Sequence, residues 1–283
     1  MKASRYPLRT LAAIAAVSLA FSHVAAFARE DRPAGTLRVC ADPNNMPFSN
    51  IREEGFENKI AASLAQDLGW TLAYTWRAQR RGFVRSTLNS GSCDVIIGTP
   101  ALDMLQVTQP YYRSGYVFVS RASDNYRLRS FSAPELRALR VGVQLIGDDG
   151  FNTPPAHALG NLNITGNVVG FPVYGDYRSE SPPSTIVQAL CDNVIDVAAV
   201  WGPTAGYYAK QARVPLRVAR IEGTDAFRPL VFEFAIGMGV RKGDDAMRSR
   251  LDSFIERRRD DIERILNAYG VPLFRGPEEA QHD

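Results

Sequence analysis

Short apolar runs alternate with segments of helical spacing along most of this chain, and this alternation limits the fold more than any other feature. TLRVCA (36–41), TLAYTWR (71–77) and CDVIIG (93–98) are typical of strands. Between the first two runs, GFENKIAASLAQDLGW (55–70) carries apolar side chains at helical spacing. Strands that alternate with helices form βαβ units, so we predict an α/β protein with mostly parallel sheets flanked by helices.

The second half of the chain repeats this pattern. LRVGVQ (139–144), VVGFPVYG (168–175) and IDVAAV (195–200) are predicted strands. Two intervening helices are predicted to begin at a capping residue followed by proline, Thr153-Pro154 and Ser181-Pro182.

Two stretches, 83–100 and 185–203, have the same order of helix, polar turn, aspartate, apolar strand, glycine and proline. They indicate two lobes of similar construction, although any βαβ chain can show such echoes. The C-terminal stretch 244–270 is predicted to be one long helix with a solvated charged face.

The first 28 residues have the three parts of a secretory signal peptide. Lys2, Arg5 and Arg9 precede an apolar run (11–21), and Ala26-Phe27-Ala28 supplies a cleavage site. We therefore expect export to the periplasm and a mature chain of residues 29–283, with a retained amphipathic anchor as the alternative.

Charge balance argues against a nucleic-acid partner. The chain has 33 basic and 30 acidic residues. The three basic residues of the leader account for the excess, so the mature chain is close to neutral. Binding to nucleic acid requires a sustained basic surface, which a near-neutral chain does not indicate.

The order of motifs resembles that of periplasmic solute-binding proteins with the two-lobed type II architecture. The resemblance rests on CDVIIG, TQPYYRSGYVFV, ELRALRVGVQ, IDVAAV and the return strand IGMGVRKGDD, and it covers about residues 36–272. It implies lobe one from 29–120 and 226–283, lobe two from 121–225, and a ligand cleft between them.

A narrower resemblance is to the MxaJ/XoxJ-type proteins associated with quinoprotein dehydrogenases. It rests on RVCADPNNMPFSN, GFENKIA, QRRGFVRSTL, GDDGFNTPPAHALG, YGDYRSESPPSTIV and VWGPTAGYYA. It implies a monomeric accessory protein that binds or matures a PQQ-dependent methanol or alcohol dehydrogenase, with that enzyme's c-type cytochrome as a second candidate partner. The alternative is an ABC-transporter receptor for a small solute other than an amino acid.

Two departures from the amino-acid receptors of this fold favour the accessory role. Those receptors hold the ligand carboxylate with an arginine after the first CDVIIG-like strand, whereas 99–112 contains none here. They hold the ammonium with an aspartate after the second such strand, where Trp201 stands here. A zwitterion would lose its hydration in such a cleft without gaining partners.

The candidate cleft residues follow the carboxyl ends of predicted strands, where α/β sheets bind ligands. Simpler readings stay open, because these residues could also form turns, stiffen a hinge, face solvent or only pack. The candidates are Asp42, Asn44, Asn45, Phe48, Arg80, Arg81, Tyr111, Tyr112, Arg113 and Trp201.

The chain has three cysteines, and export permits disulfides. Cys40 and Cys93 fall in the same predicted lobe and are the better candidates for a pair, while Cys191 is expected to be a small buried apolar residue. Sequence cannot settle their connectivity.

No catalytic residue, metal site or cofactor is predicted, and a lyase-like enzyme stays open as a third hypothesis because the fold that the chain resembles also includes some periplasmic enzymes. The mature chain has only His157 and His282, and it contains neither CxxC nor HExxH. The adjacent acids Asp148 and Asp149 lack the ligand ladder of a calcium site, so they are expected to form a loop.

Overall fold

The computed structural model describes residues 35–146, 152–173 and 181–275. The predicted signal peptide, the loop with Asp148 and Asp149, and His282 lie outside the described residues. No helix in the described part of the chain is long and apolar enough to cross a membrane.

The first strands and helices follow the predicted βαβ order. β1 and β4 pair in parallel from Thr36 opposite Thr71 onward, and a parallel bridge from Val39 to Val95 places the segment before β5 beside β1. The elements are β1 (Thr36–Ala41), β2 (Asn44–Asn45), β3 (Ser49–Asn50), α1 (Phe56–Leu68), β4 (Thr71–Trp76), α2 (Phe83–Ser86), β5 (Ile96–Thr99) and β6 (Gln106–Val107).

The second group repeats the order around a central strand. β8 pairs in parallel with β9 and with β10, and β10 and β11 pair antiparallel with β7. The elements are β7 (Tyr112–Arg121), β8 (Val141–Leu145), α3 (Pro154–Asn161), β9 (Val168–Pro172), α4 (Thr185–Cys191), β10 (Val197–Trp201), α5 (Gly202–Gln211) and β11 (Leu216–Arg220).

The chain then returns to the first group through β12 (Glu233–Val240), α6 (Asp245–Arg257) and α7 (Arg259–Ala268). β12 pairs antiparallel with β5 and β6 and also with the first residues of β7. The sheets are therefore mixed: strands inside βαβ units run parallel, and β7 and β12, which connect the two groups, run antiparallel.

β7 links the two groups within a single strand. Its residue Ser114 lies opposite Phe234 of β12, whereas Tyr116 lies opposite Trp201 of β10. All described residues belong to one compact unit. The lobe boundaries at 120 and 225 stay a prediction.

Most buried side chains form separate cores for the two groups, and Met46 of the first group packs in a cluster of the second. In the first, Phe56, Ile60 and Leu64 of α1 pack with Phe254 of α6 and Leu266 of α7. The C-terminal helices thus complete the core that the N-terminal residues begin. In the second group, two clusters lie around β8 and β10; they include Leu159, Val143 and Ala199 in one and Leu190, Ile195 and Val200 in the other.

The predicted long C-terminal helix is interrupted at Arg258, which has φ −112° and ψ 18°. A straight helix over 245–268 would be about 36 Å long. The break lets both halves turn apolar side chains toward the same core. Arg257 and Arg258 do not simply face solvent, because both bond the Asp67 carboxylate of α1, at 2.6 and 3.1 Å.

The helix starts in the second group also differ from the expected capping. Thr153 precedes α3, but its buried hydroxyl donates to the Gln144 carbonyl at the end of β8. Ser181 is followed by a 3₁₀ turn (Pro182–Ser184), and α4 begins only at Thr185.

Candidate functional site

A cavity of about 290 Å³ lies between the two groups of strands. Its walls come from α1 and the loops after β1 and β4, from the connecting strands β7 and β12, and from β8, β10 and α5. The lining residues are Asn45, Phe48, Glu57, Gln79, Gly98, Pro100, Tyr112, Tyr116, Gln144, Val173, Pro183, Trp201, Thr204, Phe234 and Ile236.

Trp201 both lines this cavity and packs against aromatic neighbours. Its ring meets Tyr116 edge to face, with centroids 5.5 Å apart, and Phe234 at 5.7 Å. Its backbone N–H donates to Gln144 Oε1 at 2.9 Å, which holds the end of β10 beside β8. A large aromatic at this strand end thus forms part of the cavity wall, together with the two rings that it contacts.

The loop after β1 is ordered by Asp42, which is buried and does not line the cavity. Its two carboxylate oxygens accept the backbone N–H groups of Asn44 at 2.8 Å and Gln79 at 2.6 Å. These bonds tie the loop after β1 to the loop after β4. Asn44 pairs with Asn50 in the β2–β3 ladder and also lies outside the lining.

Four predicted residues face the cavity: Asn45, Phe48, Tyr112 and Trp201. Asn45 donates its amide N–H to Gln79 Oε1 at 3.2 Å, which leaves its carbonyl oxygen available as an acceptor. Whether these four side chains bind a ligand or a partner stays a prediction.

The other predicted residues lie elsewhere. Arg80 and Arg81 are exposed before α2, outside the lining residues. Tyr111 points into the core and donates its hydroxyl to the Ile97 carbonyl at 3.1 Å. Arg113 occupies a β7 position opposite Ala235 of β12, and its side chain does not contribute to the cavity wall.

Cys40 and Cys93 form a disulfide, with Cα atoms 5.4 Å apart. The Cys40 backbone N–H donates to the Val95 carbonyl at 2.8 Å, so the bridge joins β1 to the segment that leads into β5. Cys191 has a free thiol and is only half-buried at the end of α4, less buried than its expected role as a small core residue implies.

Glu57, in the first turn of α1, lines the cavity and was not among the predicted residues. Its backbone N–H donates to the Phe48 carbonyl at 2.9 Å, and its carboxylate lies against Gly98, where any side chain would collide with it. Burial, with a smaller contribution from the negative charge of Asp42, raises the pKa of Glu57 from 4.5 to about 8. A glutamate in a first helical turn usually only complements the helix dipole, so the sequence carries no signal for this role.

The lining is aromatic and poor in charge. Among the residues that the structure describes, Glu57 is the one carboxylic acid of the lining, and the lining includes no lysine, arginine or histidine. Burial raises the pKa of Tyr116 to a value above its ordinary range and that of Tyr112 well above it, so both phenols stay neutral. The described residues hold no cluster of three or more potential metal ligands.

Comparison with known proteins places this architecture in a family. Residues 37–272 match the model of bacterial extracellular solute-binding proteins, family 3. Protein MoxJ of Methylorubrum extorquens AM1 is 32% identical over 252 residues, which cover 85% of this chain and 82% of MoxJ.

Two crystal structures share the fold. The periplasmic binding protein XoxJ from Methylobacterium extorquens AM1 is 36% identical, with a TM-score of 0.70, and the match covers 85% of this chain and all of XoxJ. MxaJ from Methylophaga aminisulfidivorans MPT is 27% identical with a TM-score of 0.71, over 84% of this chain and all of MxaJ. The chain therefore belongs to the family 3 solute-binding proteins, and within them to the MxaJ/XoxJ type with its two-lobed type II periplasmic binding fold.

Proposed function

We propose that this protein is a periplasmic accessory protein of a PQQ-dependent methanol or alcohol dehydrogenase system. It binds the dehydrogenase or assists its maturation. The observation that carries this proposal is similarity to MoxJ, XoxJ and MxaJ over more than four-fifths of the chain. The same similarity, together with the family's extracellular description, supports a periplasmic location for a predicted monomer.

The cavity supports a role other than amino-acid transport. Among the residues that the structure describes, no cationic side chain lines the cavity to hold a ligand carboxylate, and Trp201 occupies the end of β10. A free amino acid would leave its carboxylate unpaired in an aromatic cavity, which is costly.

We propose that the protein is a binding protein and not an enzyme. His157 lies on α3, and its Nε2 accepts the Asn152 backbone N–H at 3.2 Å. It is not among the cavity-lining residues, so it has no place beside a bound substrate.

The second candidate function is reception of a small, apolar or aromatic solute for a permease. The cavity itself favours it, because a volume of about 290 Å³ whose lining includes Phe48, Tyr116, Trp201 and Phe234 suits such a ligand. The neighbouring genes discriminate between the two functions: a dehydrogenase and a cytochrome support the first, and a permease with an ATPase supports the second.

The direct test is a binding titration of residues 29–283 against the quinoprotein dehydrogenase of the same organism, in apo and holo forms. Free amino acids and pyrroloquinoline quinone serve as controls. Saturable binding to the dehydrogenase alone supports the accessory role. A tight small-molecule signal without dehydrogenase binding returns the protein to the transport receptors.

Two variants locate the contact. If a dehydrogenase segment enters the cavity, Trp201→Ala weakens binding and Arg81→Ala, on the exposed turn before α2, leaves it unchanged. The reverse pattern places the contact on the outer surface of lobe one. If neither variant changes partner affinity or dehydrogenase activation, the contact involves neither place.

A further inference from the structure

The Glu57 carboxylate faces the cavity between the two groups of strands, here called the interlobe cavity, and has no partner there among the described residues. It makes no hydrogen bond or ion pair with any residue that the structure describes, and none of the described residues that line the cavity is cationic. The Glu57 side chain is half-buried. An acid withdrawn from water is normally satisfied by hydrogen bonds or a counter-charge, so an unpartnered one facing a cavity points to a ligand that supplies them.

The charges around Glu57 favour a cation and disfavour an anion. Burial is the main cause of the raised pKa of Glu57, and the negative charge of Asp42 adds to it. Burial likewise raises the pKa values of Tyr74, Tyr111 and Tyr112, with a smaller contribution from the charge of Glu57. An anion or a zwitterion would bring a further negative charge beside these groups, and none of the described lining residues is a cation that could hold it.

The rest of the wall suits the same kind of ligand. Phe48, Tyr112, Tyr116, Trp201 and Phe234 present aromatic rings to the cavity. The faces of aromatic rings attract cations, most strongly in a site shielded from water, and they also pack against an aliphatic stem.

Neutral polar groups can complete the coordination of an ammonium. The side-chain oxygen of Asn45, Oδ1, is not used in the bond to Gln79. Thr204 contributes a buried hydroxyl that can accept a further N–H.

We propose that the interlobe cavity binds a primary alkylammonium group that carries no carboxylate, with the ionised Glu57 side chain as its counter-ion. The ammonium belongs either to a free amine or to a lysine side chain of a protein partner, since both present the same group on an unbranched stem. This inference does not rest on the dehydrogenase, because it concerns the chemistry of the cavity alone.

Binding of a cation is coupled to loss of the Glu57 proton. With a pKa of about 8, the empty site is mostly protonated at pH 7, and it releases about 0.9 proton when an ammonium enters. The alkylammonium itself titrates only near about 10.4. Apparent affinity therefore rises with pH and levels off above pH 8, by about 90-fold in total between pH 6 and pH 9.

The test uses n-butylammonium and neutral n-butanol as probes, titrated into the purified protein between pH 6 and pH 9. Dissociation constants come from shifts of the tryptophan indole N–H signals in NMR spectra. Proton release comes from calorimetry in two buffers of different ionisation enthalpy. A capped lysine, Nα-acetyl-lysine N-methylamide, separates the two sources: if it binds as well as n-butylammonium, the site accepts a protein side chain, and if only the free amine binds, it takes a small solute.

Glu57→Gln keeps the shape of the side chain and removes its charge. At pH 9 we expect it to weaken n-butylammonium binding by about 10- to 100-fold and to abolish the pH dependence. Glu263→Gln, which removes the same charge from an exposed position on α7, should bind like the wild type.

Three results would overturn the proposal. They are the absence of n-butylammonium binding to the wild type at pH 9, equal affinity for n-butanol, and equal affinity of wild type and Glu57→Gln. None of these depends on whether the protein binds a dehydrogenase, so this proposal and the proposed function can fail separately.

Discussion

Replacing Glu57 by glutamine should stabilise the unliganded protein at neutral and alkaline pH. The pKa of this carboxyl is about 8 in the folded protein against an ordinary value of 4.5. Between these values the unfolded chain has released the proton and the folded protein retains it. Stability therefore falls as the pH rises above about 4.5 and levels off above about 8.

The size of the effect follows from the shift. One pKa unit corresponds to about 1.36 kcal/mol, so the cost of Glu57 is about 3 kcal/mol at pH 7 and on the order of 5 kcal/mol at pH 9. These are upper values, because water that enters the cavity solvates the carboxylate. Glutamine resembles the protonated carboxyl in shape and charge, and it avoids the whole cost.

Urea unfolding of the wild type and Glu57→Gln at pH 4, 7 and 9 measures this difference directly. We expect equal stabilities at pH 4 and an advantage of the variant that grows with pH. Glu263→Gln controls for the general loss of one negative charge. A difference that stays constant with pH, or a variant less stable at pH 9, would refute the assignment of Glu57 as a desolvated acid.

Three further changes test how the fold is held together. Replacing Cys40 and Cys93 by serine removes a disulfide between residues 53 positions apart, and urea unfolding should show a loss of about 4 kcal/mol from the entropy of the unfolded chain. If the double variant is as stable as the wild type, and a reducing agent leaves the wild type unchanged, the bond does not stabilise the protein. Phe254→Ala empties a fully buried position between α6 and the first core, with an expected loss of about 3–5 kcal/mol, and a loss below 1 kcal/mol would contradict that packing. Gly206→Ala places a methyl group against the Gly270 carbonyl, and this overpacking should destabilise the protein by about 1–3 kcal/mol. Calorimetry should show a lower melting temperature, and an unchanged value would show that α5 and the C-terminal segment separate easily.

A destabilising acid in a cavity is typical of a binding site. Natural sequences tolerate such a cost where a ligand later compensates it, and acids with strongly raised pKa values gather at functional positions. The unfolding and titration experiments on Glu57 therefore address two sides of one feature: its cost in the empty protein and its use when the cavity is filled.

The position of the cavity was predictable, whereas its membership was only partly so. Ligands bind at the carboxyl ends of strands in α/β proteins, and the loops after β1 and β4 and the end of β10 all contribute to the lining. The direction of each side chain depended on local bonds. Asp42 turned inward to accept two backbone N–H groups, and Tyr111 turned inward to reach the Ile97 carbonyl.

Long-range contacts explain the remaining differences. The C-terminal helix breaks at Arg258 without a proline or glycine, because both halves have to reach the core that α1 begins. β11 (Leu216–Arg220) was not predicted, since its alternation is short and its place in the sheet comes from pairing with β7.

The sequence by itself determined the α/β class, the order of most elements and the family resemblance, because periodicity, turn-forming residues and ordered motifs are local properties of the chain. Tertiary structure alone decided that Glu57 faces a cavity, that Trp201 rests on Tyr116 and Phe234, and that Cys40 meets Cys93. Each of these depends on residues far apart in sequence meeting at one point. The pKa of Glu57 is set by burial, and the side chain becomes buried only when those segments have packed around it.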